Sequence, residues 1–292
     1  MDVGLALPQM TPDLDGARIR AWCRAIDDGP FSSVSAGERI AFDNLDGFTL
    51  VTAAAALTER ARVAFNVVVA PWHAPALLAK ELASIDVLGR PPRRGGRGRR
   101  PRAGLSGAGP GRDPSLRPPR CRRGRAASAV GRRSGRGRGG GRPHPRPGGR
   151  APAPLQRHRA ALLARAARWA DGLTHFTLAA DPAEAATAFA LADDAWAAAG
   201  RPSTPRHVTG AFVCLGPGAE ERLATFARRY LDVFGTDVAA WLAERMPLHT
   251  EEALHGFLVG LAATGCDEVV LVPGDADPDQ VRRVAEVVAS VG

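Results

Sequence analysis

Lysine is almost missing from this sequence: Lys80 is the single one among 39 basic residues, and the rest are arginine. Lys80 sits in a predicted helix, so no G-x-x-x-x-G-K loop is present and a P-loop nucleotide site is excluded. No CxxC pair occurs among Cys23, Cys121, Cys214 and Cys266, which argues against a structural zinc site and predicts reduced thiols. Long apolar runs are lacking too. No stretch approaches the roughly 18 apolar residues of a membrane span, and the acid at position 2 of "MDVGLALPQM" precedes too short an apolar run for an export signal. These absences predict a soluble, cytoplasmic protein with no membrane partner and no bound metal. Arginine, alanine, glycine and proline abound instead, as a GC-rich, bacterial gene would dictate.

The positive charge is unevenly placed. The whole chain of 292 residues carries +9, yet residues 90–150 hold 20 arginines against one acidic residue, so that block carries +19 and the remainder −10. The block also contains 16 glycines, 10 prolines and no aromatic residue. Nothing in it offsets the conformational entropy of ordering, so disorder is expected from 89 to 161. An arginine-glycine tract can neutralise phosphates, which opens a reading as a nucleic-acid-binding protein. The missing aromatics leave no platform for stacking bases, and no specific nucleic-acid partner is expected.

On either side of the block the pattern is regular. "DVGLALP" reads as a buried strand and "DLDGARIRAWCRAIDDG" as the helix after it. A short strand in "FSSVSAG" precedes the helix "FTLVTAAAALTER", and the apolar run "ARVAFNVVVAP" precedes the helix "PALLAKELASIDVL". Beyond the block, "ALLARAARWADGL" reads as a helix and "THFTLAA" as a strand. The helices "PAEAATAFALADDAWAAAG" and "AEERLATFARRYLDVFG" flank the strand "RHVTGAFVCLG". The end is helix "TEEALHGFLVGLAATG" with Thr250 as N-cap, strand "CDEVVLVP", and a last helix with Pro278 near its first turn. Repeated β-α units imply a parallel α/β sheet with right-handed crossovers.

"ERIAF" and "LTERARVAFNVVVAPWHAPALLAKELASIDVL" resemble the bacterial luciferase-like monooxygenase family, and "GLAATGCDEVVLVP" resumes the likeness near the end. The resemblance implies a (β/α)8 TIM-barrel fold, here incomplete. It implies a deazaflavin coenzyme (F420-type) or FMN, and a reaction passing hydride between coenzyme and a small organic substrate; the sequence leaves the oligomeric state open, a homodimer being one option. It also implies that a backbone bulge at Asn66, Val67 and Val68 supports the central ring of the coenzyme; plain strand packing is the alternative. Glu38 and Arg39 follow the second strand, where barrel enzymes place working residues, and a surface ion pair is the other reading. His73 follows the third strand at the barrel mouth, as a catalytic group or as a loop histidine in water. His175, His207, His249 and His255 show no metal-ligand spacing. Trp22, Trp169, Trp196 and Phe176 read as core.

After "A-x-x-D-x-L" the family continues with "S-G-G-R-L" and a glycine-rich strand, whereas this chain continues with arginine. Shifting the reading by one base leaves only the middle base of each new codon free. Under that shift Leu88 to Pro101 accommodates "SGGRLVVGVGVGG", "RAGLSGAG" accommodates "AQDYRALG", and "APLQRHRA" accommodates "LLSSGTV", the turn from which the family's phosphate contacts are implied. The sequence therefore divides into barrel units over 1–88, a displaced reading over 89–161, and barrel units over 162–292. The phosphate contacts would be lost in the chain as written, and the family's activity with them.

Overall fold

The computed structural model describes residues 1–12, 14–89 and 153–291. Three β-α units come first. They are β1 (Asp2–Ala6) with α1 (Gly16–Asp28), β2 (Ser33–Ala36) with α2 (Gly47–Leu57), and β3 (Arg62–Phe65) with α3 (Pro75–Leu88). After the gap come α4 (Ala153–Ala166), β4 (Gly172–Thr174), α5 (Pro182–Ala198) and β5 (Arg206–Val213). The chain then forms α6 (Ala219–Leu231), α7 (Thr236–Ala243), α8 (Glu251–Ala262), β6 (Glu268–Pro273) and α9 (Asp279–Val291).

All strand pairs are parallel, and the order is β3-β2-β1-β6-β5-β4. The first strand thus lies beside the last, as it does where a β/α barrel meets its own start. The six strands form a half-barrel, an incomplete version of the eight-stranded TIM fold, whose edges among the described residues are β3 and β4.

Alternation along each strand separates two environments. Val3, Leu5, Val34, Ala211, Val213, Val269 and Leu271 face outward, into one core with Trp22, Ile26, Phe189, Leu254, Leu258, Val281 and Val284 of the surrounding helices. Burying each large side chain there contributes about 1.5–3 kcal/mol. Trp22 keeps its indole N–H satisfied by donating to the Ala276 carbonyl at 3.0 Å. Helix starts are fixed by side-chain acceptors: Asp15 takes the Arg18 N–H, Asp46 that of Thr49, Asp181 that of Ala183, and Thr250 that of Ala253.

The inner face is polar at its N-terminal end. Glu268 Oε1 accepts from the hydroxyls of Ser32 and Ser33 at 2.8 and 2.6 Å, and Oε2 faces Arg62 and Arg206 at 3.1 and 2.8 Å. Asp2 completes the cluster, 3.1 Å from Arg62 and 3.5 Å from Arg206. Residues at the starts of β2, β3 and β5 therefore converge on the β6 carboxylate, and Asp2 of β1 joins through the two arginines. Higher up the face is aromatic: Phe176 lies over Gly210, where a Cβ would stand 2.9 Å from its ring, and Phe176 and Phe212 are 4.7 Å apart.

Four features differ from the sequence expectation. β3 ends at Phe65 rather than running to Pro71, because the Val69 N–H turns to the Glu38 carboxylate and a 3-10 turn follows at Ala70–Trp72. β4 is shorter and earlier than "THFTLAA", although His175 and Thr177 still donate to Val208 and Gly210 across the sheet. The helix α7 was not anticipated; it and α6 form an excursion between β5 and α8, with Phe212, Phe226, Leu231 and Ala239 in a second apolar cluster. The expected disorder of 89–161 falls mostly outside the described residues, but α4 begins at Ala153, inside that stretch. Among the described residues no helix is long and apolar enough to cross a membrane.

Candidate functional site

The carboxyl ends of β2 and β3 are joined by an unusually close backbone approach. Gly37, just past β2, packs on the Asn66–Val67 peptide so tightly that a Cβ would lie 2.4 Å from the Asn66 oxygen. Only glycine fits. The buried amide of Gln9, in the loop after β1, closes the other side: its Oε1 accepts from the Gly37 N–H and its Nε2 donates to the Gly37 carbonyl. The Asn66–Val67 peptide is cis.

This corner aims Glu38. Its N–H donates to the Val67 carbonyl at 2.9 Å, its Oε2 accepts from the Val69 N–H at 2.6 Å, and its Oε1 lies 2.8 Å from His73 Nε2. The Glu38 side chain is 4% exposed and that of His73 19%. In the tautomer that donates Nε2–H to Glu38, Nδ1 carries the ring's free lone pair. The Phe48 ring, 5.0 Å from the imidazole and 4.6 Å from Phe65, backs the pair. Beside it Val67, Trp72 and Ile40 are exposed by 47%, 70% and 57%. An oriented imidazole next to uncovered apolar side chains can hold a proton at the edge of a flat ligand.

Of the sequence candidates, Glu38 and His73 are brought together, with Asn66, Val67 and Val68 forming the adjoining wall. Arg39 is not part of this group. Its guanidinium lies 4.1 Å from the Phe42 centroid and 4.4 Å from that of Tyr230, and it donates to the Tyr230 carbonyl near the end of α6. Arg229 stacks on Phe42 as well and donates to the carbonyls of Met10 and Asp43, so two arginines tie α6 to the loops after β1 and β2. A cavity of about 540 Å³ opens at the same end of the sheet among Arg18, Arg222, Arg229, Phe226 and Asp275, but none of the six candidates lines it. Gln9 was missed from the sequence; its only signal there is a polar residue directly after a strand end.

The other polar residues have local roles. His207 stacks on Phe189 at 4.6 Å and pairs with Asp193 at 3.0 Å. Burial pushes the Cys23 and Cys266 thiols up to about 11 and raises that of Cys214, so these three are held as protonated thiols. Among the described residues no group of three or more His, Cys, Asp or Glu could hold a metal ion.

Residues 3–91 match the luciferase-like monooxygenase family. No curated protein matches. Solved structures that share the fold include three that align over nearly the whole of both chains. The monooxygenase RslO1 from Streptomyces bottropensis is 16% identical, with 99% of each chain covered and a TM-score of 0.59. The coenzyme F420-dependent tetrahydromethanopterin reductase from Methanopyrus kandleri is 13% identical, covering 100% of this chain and 99% of its own, with a TM-score of 0.61. The oxygenating constituent of 3,6-diketocamphane monooxygenase from Pseudomonas putida, in complex with FMN, is 13% identical, covering 99% and 97%, with a TM-score of 0.56. The chain thus resembles the luciferase-like monooxygenases in sequence over residues 3–91 and in fold over its described residues.

Proposed function

We propose that this chain is built as an oxidoreductase of the luciferase-like type, holding a deazaflavin coenzyme (F420-type) or FMN against the Asn66–Val68 wall and acting on a small organic substrate. The observation that carries the reading is the Glu38–His73 pair, 2.8 Å apart, with Glu38 also held by the Val69 N–H on a loop where Val67 and Trp72 are exposed. The two solved relatives named for F420 and FMN supply the choice of coenzyme classes.

The residues present fit the ring of such a coenzyme: a backbone wall held rigid by Gly37 and Gln9, apolar side chains for a planar face, and one oriented imidazole at the edge. When bound, the coenzyme supplies hydride transfer. Glu38 keeps the imidazole in one tautomer, and His73 Nδ1 accepts or returns the substrate proton. Phe48 backs His73 and limits water on that side. Arg39 serves as a positioning residue, through Tyr230 and α6. The phosphate end is a different matter. Where the family resemblance implies an anchoring turn, residues 153–160 run as the first turns of α4, so that anchor is not formed.

The test is a titration of the purified protein with FMN and with deazaflavin coenzyme, followed by fluorescence. Saturable but weak binding is expected, lost in Gly37→Leu and unchanged by added inorganic phosphate. Binding that survives Gly37→Leu, or none at millimolar coenzyme, would refute the assignment of the ring wall. The nucleic-acid reading rests wholly on residues outside the described parts.

A further inference from the structure

Among the described residues the half-barrel is short of one definite piece. In strict β-α alternation, α3 is followed by a strand and α4 is preceded by one, so the order requires β-α-β between Leu88 and Ala153. That piece is what the described sheet is short of: among the described residues six strands stand where the fold takes eight, with β1 already paired to β6 and the open edges at β3 and β4.

The uncovered surfaces agree. β1, β2 and β6 are almost wholly buried, whereas Arg62, Val63 and Ala64 of β3 and all three residues of β4 are only half-buried. On the flanking helices Leu77, Val87 and Leu88 of α3 and Leu162 of α4 are 53%, 64%, 50% and 55% exposed. A further β-α-β piece would cover such surfaces. The intervening residues 90–152 suffice for two strands of about five residues and a helix of about a dozen, with loops.

We propose that the codons of Gly89 to Ala161 are a displaced reading of a segment whose proper translation is this missing β-α-β, so that the gene carries two compensating frame changes. The proposal fixes third bases that the protein sequence leaves free. Reading one base later, Leu88 to Arg100 gives "SGGRLVVGVGVGG" only if Gly89, Arg90 and Pro91 end in G and if Pro92, Arg93, Arg94, Gly96 and Gly98 all end in T, because leucine and valine codons have T in the middle. A gene this rich in arginine, alanine, glycine and proline is GC-rich, and such genes avoid T in third positions. Five T-ending codons within seven residues are therefore foreign to the gene's usage and demanded by the displaced frame alone.

Two experiments test this. The nucleotide sequence of codons 88–161 is expected to show T at those five positions and no stop codon one base later; G or C at most of the five, or a stop in that frame, overturns the proposal. A repaired gene, with one base moved at each boundary, is expected to give a protein that unfolds in a single urea transition at a higher midpoint than the present chain. A repaired protein that is no more stable overturns it as well. Coenzyme binding is read separately: a repaired, stable barrel that binds neither FMN nor deazaflavin would refute the proposed function and leave the displaced frame standing.

Discussion

The Glu268 cluster offers the sharpest quantitative test of how this half-barrel is held. Glu268→Ala removes an acceptor shared by Ser32, Ser33, Arg62 and Arg206, at 2.8, 2.6, 3.1 and 2.8 Å. Removing one partner of a buried ion pair costs about 3–5 kcal/mol, since the other charge is left without compensation. Here the Arg62 and Arg206 side chains keep 28% and 40% of their exposure, so water recovers part of the loss and the low end, about 3 kcal/mol, is expected. Urea unfolding followed by circular dichroism reads this directly: with a slope of about 2 kcal/mol per M, the midpoint falls by about 1.5 M. Glu268→Gln retains one acceptor oxygen and should fall about half as far. A double-mutant cycle of Glu268→Ala with Arg206→Ala should return a coupling of about 1–2 kcal/mol. Midpoints unchanged within about 0.3 M, or a larger loss for glutamine than for alanine, would refute the idea that one carboxylate gathers the N-terminal ends of the strands.

Three further outcomes are expected. Asp27 accepts the N–H groups of Glu59, Arg60 and Ala61 at 2.8, 2.9 and 2.7 Å; burial pushes its carboxyl up, but these donors and the Arg60 charge outweigh it and hold the pKa below the ordinary value. Its contribution is therefore present above the unfolded pKa of about 4 and lost as pH falls through the lower folded value, so Asp27→Asn should cost about 1–2 kcal/mol at pH 7 and clearly less at pH 3, by urea midpoints at both. Gly37→Ala places a Cβ 2.4 Å from the Asn66 oxygen and should cost about 1–3 kcal/mol while weakening coenzyme binding; a thermal midpoint equal to that of the parent would contradict the close approach. Cys23, Cys214 and Cys266 are buried with raised thiols, so at pH 8 they should react with an aromatic disulfide only after denaturation; fast native labelling of any of the three, located by mass spectrometry, would show a looser core.

The legible parts of the sequence were those with local causes. Short strand-like runs marked β1, β2 and β6, and helix-like stretches marked α1, α5, α8 and α9. Thr250 and Pro278 stand at helix starts as residue preference dictates. Glu38 and His73 were visible as polar residues after strand ends. Their pairing was not, because 35 residues separate them and only the parallel register of β2 on β3 makes them neighbours. Arg39 illustrates the converse: next to Glu38 in sequence, it turns to Phe42 and Tyr230, which chain order places far apart.

By itself the sequence determined the α/β grammar, the resemblance carried by its first third and by "GLAATGCDEVVLVP", and the foreign character of the arginine block, since composition and periodicity are properties of neighbouring residues. Only the tertiary structure decided that β1 lies against β6, that β3 and β4 are the edges among the described residues, and that Gln9, Gly37 and Glu38 build one corner. Those facts depend on hydrogen bonds and packing between residues remote in the chain, which no local pattern encodes.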